Sequence, residues 1–342
     1  MIIIGALLPI LSLFPIIALT LNIHMYQEES YLSSFFYVLK ELETGRAWVT
    51  LTFFSLLYIG VIATVKSRPA AFTTSLFLVL GMILTQGVVG HAANMSSYPG
   101  ALAHIVHLLA ICSWAGILLV VSWFSKNEKN WDAFVEWYTF IAIGCVVMLT
   151  FTGLFMSFSL TESIVQSWIL PYGQALLLKQ LLFLALLLFA FINGFLIRKK
   201  VETSPSFSPK KWWRAESIII LTIFSLTGFM SEKEPPHNIE QALNREETSI
   251  LFQTFMSVNI GEELSLSPSI IGLFFMVLAG LFFLFTYLLF SRQESAAGAL
   301  IMSGIAVISL YIGLMNSVES AGRTPVLESS LSSLGHVIKI VA

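Results

Sequence analysis

Apolar residues along this chain come in long blocks. About nine blocks of roughly 20 residues carry almost no charge, at 3–23, 47–65, 70–92, 101–124, 134–158, 174–197, 215–231, 268–291 and 296–316. A helix of that length spans about 30 Å, the thickness of a bilayer's hydrocarbon core. Within hydrocarbon only a helix or a closed barrel satisfies its own backbone polar groups. Runs this long, without alternation of polar and apolar positions, predict helices. The expected fold is therefore all-α, a polytopic transmembrane helix bundle of eight or nine spans.

The charges between the blocks test this count. With the N-terminus placed in the cytoplasm, inside loops hold Lys66, Arg68, Lys126, Lys129, Arg198, Lys199, Lys200, Lys210, Lys211, Arg214 and Arg292. Outside segments hold Lys40, Arg46, Lys233, Arg245, Arg323 and Lys339. Basic residues favour the cytoplasmic side, and eleven against six supports nine spans and a cytoplasmic N-terminus. Trp212 and Trp213 beside the densest basic block predict an interfacial aromatic belt. Residues 1–23 lack a basic leader and an A-x-A-like cleavage site, so they read as a retained first helix.

Four regions follow. Residues 1–69 hold the first helices and an outer loop, 24–46. Residues 70–231 form a central bundle. Residues 232–267 form an acidic outer segment opening with Pro235-Pro236, where a short amphipathic helix or strands are expected. Residues 268–342 supply the last helices and an outer tail.

Composition agrees: 56% of the 342 residues are hydrophobic and 11% charged, against about a quarter charged in soluble domains. The basic residues form no patch with interleaved aromatics, so nucleic acid is not an expected partner. The lipid bilayer is. Cys112 and Cys145 both lie within apolar blocks and do not read as a disulfide framework.

Candidate chemistry gathers around residues 90–119. His91 ends the third block, and His104 and His107 open the fourth. An imidazole at the bilayer edge is costly without a partner, so three at similar depth form a candidate site. The joining loop is short, so the two helices are expected to be antiparallel neighbours. His104 and His107 share a helix face and differ in depth by about 4.5 Å. Met95 lies near His91. In the fifth block Cys145, Met148, Thr152 and Met156 follow one helical stripe. Met156 is closest in depth to the histidines. Met148 and Cys145 fall about 12 and 16 Å deeper, and Cys112 about 12 Å below His104. Imidazole and thioether together suit copper, whereas hard cations prefer oxygen. The metal-ligand candidates are His91, Met95, His104, His107 and Met156, with Met148, Cys112 and Cys145 of lower weight. His24, His237 and His336 read as ordinary surface residues, and Lys179 as structural, either snorkelling outward or pairing with Glu162.

His91-Ala92-Ala93, then His104 and Trp114-Ala115-Gly116, resemble the bacterial CopD copper-resistance and copper-transport membrane proteins. TFIAIGCVVMLTFTGLFMSF, PYGQALLLK, FINGFLIRKK and LTGFMSEKEPP follow the same order, over roughly residues 85–236. The resemblance implies a multi-pass protein of the bacterial plasma membrane that handles copper, often by importing it. It carries His91, His104 and His107 over as copper ligands. Some members of that family carry, or work with, an extracytoplasmic copper-binding domain of the CopC type; no such domain is read in this chain, which leaves open a separate CopC-type chaperone as partner or direct capture of copper.

Three functions stay open at this point. One is copper transport or tolerance. Another is a haem-binding redox or haem-biosynthesis protein using the same histidines as axial ligands. The third is an assembly factor for copper enzymes. The chain has no phosphate-binding G-x-x-x-x-G-K-[ST] loop, so a nucleotide-driven machine is not expected, and neither is an enzyme unless haem is bound.

Overall fold

A computed structural model describes residues 2–27, 29–89, 97–126, 130–161, 163–203, 207–233, 235, 239–243, 247–256, 263–292 and 295–320. Among the described residues the regular structure is helical apart from one pair of short strands. The helices are α1 (Ile2–Leu11), α2 (Leu13–Gln27), α3 (Tyr31–Glu41), α4 (Glu43–Thr64), α5 (Arg68–Gly87) and α6 (Ser97–Phe124). They continue with α7 (Trp131–Leu160), α8 (Pro171–Phe191), α9 (Lys210–Ser231), α10 (Ile270–Ser291) and α11 (Ala296–Met315). Among the described residues nine helical stretches are long and apolar enough to cross a membrane, with α1 and α2 counting as one. The protein is a multi-pass membrane protein, as the apolar blocks predict.

Local chemistry sets the helix ends. The first stretch breaks at Ser12, whose hydroxyl donates to the Leu8 carbonyl at 2.7 Å. Pro15, three residues on, has no N–H to return to the preceding turn. Ser30, Ser269 and Ser295 cap α3, α10 and α11 by accepting from the backbone N–H three residues on. Pro171 opens α8 at a position where the missing N–H costs nothing.

By contacts the chain divides into two units. Residues 1–112 and 147–160 form the first, and residues 113–146 and 161–342 the second. The helices α6 and α7 contribute to both.

In the first unit α4 packs on α5, α1 and α3. Gly45 makes the α3–α4 corner possible, because a Cβ there would collide with the Val38 carbonyl.

In the second unit α8 packs on α9 and α11, and α10 pairs with α11 as a hairpin. Gly272 and Gly313 let that hairpin close: a Cβ on Gly313 would stand 2.9 Å from the Gly272 carbonyl oxygen. Such small residues replace the hydrophobic effect as the means of close helix approach in lipid. Strands β1 (Leu264–Leu266) and β2 (Val318–Ser320) pair antiparallel, joining the segment before α10 to the residues after α11. The segment 232–267 thus holds both kinds of element expected, since Ile239–Leu243 and Ile250–Gln253 are short helices. The Gln174 side chain donates to the Trp168 carbonyl at 2.6 Å and accepts from the Tyr311 hydroxyl at 2.6 Å.

One expectation is corrected here. Trp212 and Trp213 do not form a lipid-facing belt, being 5% and 2% exposed. Trp213 stacks edge-on against Trp131 at 5.0 Å, and Trp212 against Phe290 at 5.0 Å. An indole surrounded by other rings buries more apolar area than one facing headgroups.

Candidate metal site

Three helices of the first unit converge at the expected histidines. Gly87, in the last turn of α5, lies against α6 so closely that a Cβ there would stand 3.1 Å from the Ile105 Cα. The end of α5 therefore abuts the turn of α6 that carries His104 and His107. This is the neighbour relation expected from the short loop. His91 and Met95, in that loop, lie outside the described residues.

His104 and His107 are both half-buried on α6. His107 reaches α7, where its Nδ1 lies 2.9 Å from the Thr152 hydroxyl. The Thr152 oxygen also lies 2.6 Å from the Met148 carbonyl oxygen, one turn back on its own helix. Two oxygens that close need a proton between them, and the hydroxyl has only one. Thr152 therefore donates to Met148, and His107 donates Nδ1–H to Thr152. This fixes the tautomer and leaves Nε2 as the nitrogen carrying the lone pair. Metal-binding histidines are oriented in this way, by a hydrogen bond to one ring nitrogen. Gly153 gives the ring room, since even a Cβ there would be 3.7 Å from the His107 Cε1.

The soft ligands of α7 are not equivalent. Met156, one turn beyond Thr152, is half-buried. Met148 is 51% exposed. Cys145 is buried and belongs to the second unit. Cys112, on α6, is exposed. Among the described residues no three His, Cys, Asp or Glu side chains come together. Among the described residues the candidate nitrogen donors are His104 and His107.

A cavity of about 110 Å³ lies beside the same end of α5, lined in part by Ser12, Trp48, Gln86 and Val89. Among the described residues that line it there is no His, Cys or Met.

In the second unit, Glu216 of α9 is 2% exposed. Its carboxyl accepts a hydrogen bond from the Asn193 side-chain amide. Asn193 lies in a π-helical stretch, Ile192–Ile197, that continues α8. From sequence Thr152 is named only as one member of the stripe on α7, and Asn193 and Glu216 are not singled out.

Comparison with known proteins bears on this arrangement. Residues 132–230 match the family model described as Copper resistance protein D, CopD. The matched segment is similar to CopD. It runs from the first turn of α7 to the last turn of α9, and so takes in Thr152, Met156, Asn193 and Glu216 but neither His104 nor His107. The chain is also 30% identical over 207 residues to the "Copper transport protein CutJ" of Bacillus subtilis (strain 168). That alignment takes in 57% of this chain and 38% of the relative, so the chain spans well under two thirds of the relative's length. No solved structure matches. The CopD resemblance read from motifs over roughly 85–236 is thus upheld for 132–230.

Proposed function

We propose that this protein moves copper across a bacterial plasma membrane, importing it from the extracytoplasmic side as a transporter and not an enzyme. Copper is first held by His91, Met95, His104, His107 and Met156. Met148, Cys145 and Cys112 are the softer ligands available deeper in the helices. The observation that carries this reading is the His107–Thr152 pair. A polar bond between two membrane helices fixes an imidazole so that Nε2 is its lone-pair nitrogen, with His104 one turn before it on α6 and Met156 one turn beyond Thr152 on α7. Nitrogen and thioether donors select copper over magnesium or calcium. The CopD segment and the printed function of the Bacillus relative point the same way. The bis-His arrangement accepts cupric or cuprous ion, and delivery by an extracytoplasmic CopC-type chaperone would supply it at the outer face.

The test is copper quantitation with an absorption spectrum on the full chain purified in detergent, wild type beside His104→Ala/His107→Ala. Wild type is expected to retain copper that the double variant loses, with no Soret band. Copper uptake into proteoliposomes should fall with the same substitutions. A Soret band lost in the variant would transfer the histidines to haem. Copper bound equally by both proteins would place the site elsewhere.

A further inference from the structure

The buried carboxyl of Glu216 lies in the second unit and plays no part in the copper reading. It stands six residues into α9, about 9 Å from the start of that helix, within a membrane-spanning stretch. The Asn193 amide N–H donates to its Oε2. Asn193 is itself 6% exposed, and its Oδ1 is buried with no hydrogen-bond partner among the described residues. Two costs therefore sit side by side: a carboxyl removed from water and an amide oxygen without a donor. An ionised, unpaired carboxylate is strongly disfavoured in this setting, and an unsatisfied buried acceptor adds to that cost.

Among the described residues no cation is seen to relieve this. Among the described residues no ion pair reaches Glu216. The basic residues on its own helix are directed elsewhere: Lys210 Nζ donates to the Ser125 carbonyl at 2.6 Å and Arg214 Nε to the Ser122 carbonyl at 2.9 Å. Lys211 is exposed at the helix start. From α7, Tyr138 lies within electrostatic reach of Glu216, but its hydroxyl donates to the Trp114 carbonyl at 3.0 Å. Asp132 and Glu136 of α7 are exposed. Lys179 of α8 is about 21 Å from Asn193 along the helix. From α11, Tyr311 is committed to Gln174.

One proton resolves both costs. A protonated Glu216 donates O–H to Asn193 Oδ1 while accepting from Nδ2, which closes an acid–amide ring with every polar atom satisfied. We propose that Glu216 and Asn193 form a proton-binding site within the membrane, the proton lying between the Glu216 carboxyl and the Asn193 amide oxygen. The π-helical stretch supplies the means of release. Such stretches recur at functional sites, and a shift of one residue in the backbone pairing here would withdraw Asn193 from the carboxyl. The Thr139 hydroxyl, donating to the Gly194 carbonyl at 3.3 Å, ties this stretch to α7. This inference does not depend on copper.

Infrared spectroscopy of the full chain in lipid vesicles at neutral pH tests it, without added metal. Wild type is expected to show the carbonyl stretch of a protonated carboxylic acid, shifting in heavy water, that Glu216→Gln abolishes. Asn193→Val should move that band to higher frequency, because its hydrogen bond is gone. Glu216→Gln mimics the protonated acid and should fold with an unchanged melting temperature. The proposal is overturned if the band survives Glu216→Gln, if wild type shows only carboxylate, or if Asn193→Val leaves the band unmoved. Failure of Glu216→Gln to fold would also overturn it, since the site would then require charge.

Discussion

Thr152 acts through His107. Its hydroxyl is anchored on its own helix and receives the imidazole N–H, so it sets which histidine nitrogen carries the lone pair. Thr152→Val keeps the shape and removes the acceptor. Partners of this kind contribute about 10–100-fold to metal affinity, so copper affinity measured by chelator competition should fall by about that factor. His107→Ala should cost more, and Thr152→Ser should restore most of the affinity. An unchanged affinity in Thr152→Val would mean that His107 is not a ligand. Gly153 makes the complementary case: the space beside His107 tolerates a methyl at 3.7 Å, so Gly153→Ala should bind copper nearly as wild type does.

At the scale of elements, hydrogen bonds and small residues join these helices where apolar area cannot. Lipid solvates a Leu as well as another helix does, so interhelical specificity comes from close backbone approach and satisfied polar pairs. The α10–α11 hairpin depends on the first. Gly313→Val would place carbon within about 3 Å of the Gly272 carbonyl and of Met276, and a large drop in detergent melting temperature is expected. The α8–α11 pairing depends on the second. Tyr311→Phe strips the donor from the Gln174 oxygen, and bonds of this kind in membranes are worth about 0.6–1.7 kcal/mol. A modest but measurable loss of thermal stability should follow, and Gln174→Leu in the same background should recover part of it. An unchanged melting temperature in Tyr311→Phe would show that the hydroxyl is satisfied elsewhere.

For the whole molecule the expectation concerns sidedness. The basic segment around 198–211 is assigned to the cytoplasm and the acidic segment around 232–267 to the outside, because translocating lysine and arginine is disfavoured. In a cysteine-free background, with Cys112 and Cys145 replaced by alanine, Thr203→Cys and Glu247→Cys give exposed reporters on either side of α9. A membrane-impermeant thiol reagent on intact cells should label the second and spare the first until the cells are permeabilised. The reverse pattern would invert the orientation and with it the proposed direction of copper movement.

The sequence by itself determined that this protein is a helical membrane protein, and nearly where each helix lies. The signal is thermodynamic and local: about 20 apolar residues either cross hydrocarbon or have nowhere to go. It also marked the histidine turn, because an imidazole in an apolar block is conspicuous on cost alone. The tertiary structure decided which partner each polar group finds. Thr152 reads as one member of a stripe until α6 brings His107 to it. Glu216 reads as one more charge beside a basic loop until packing encloses it. Asn193 meets it where the helix after Phe191 winds as a π-helix, a change of backbone pairing that periodicity does not register. Trp212 and Trp213 carry the composition of a lipid-facing belt and are instead enclosed by rings from α7, α8 and α10. Hydropathy depends on each segment alone, whereas burial depends on which other segments arrive beside it.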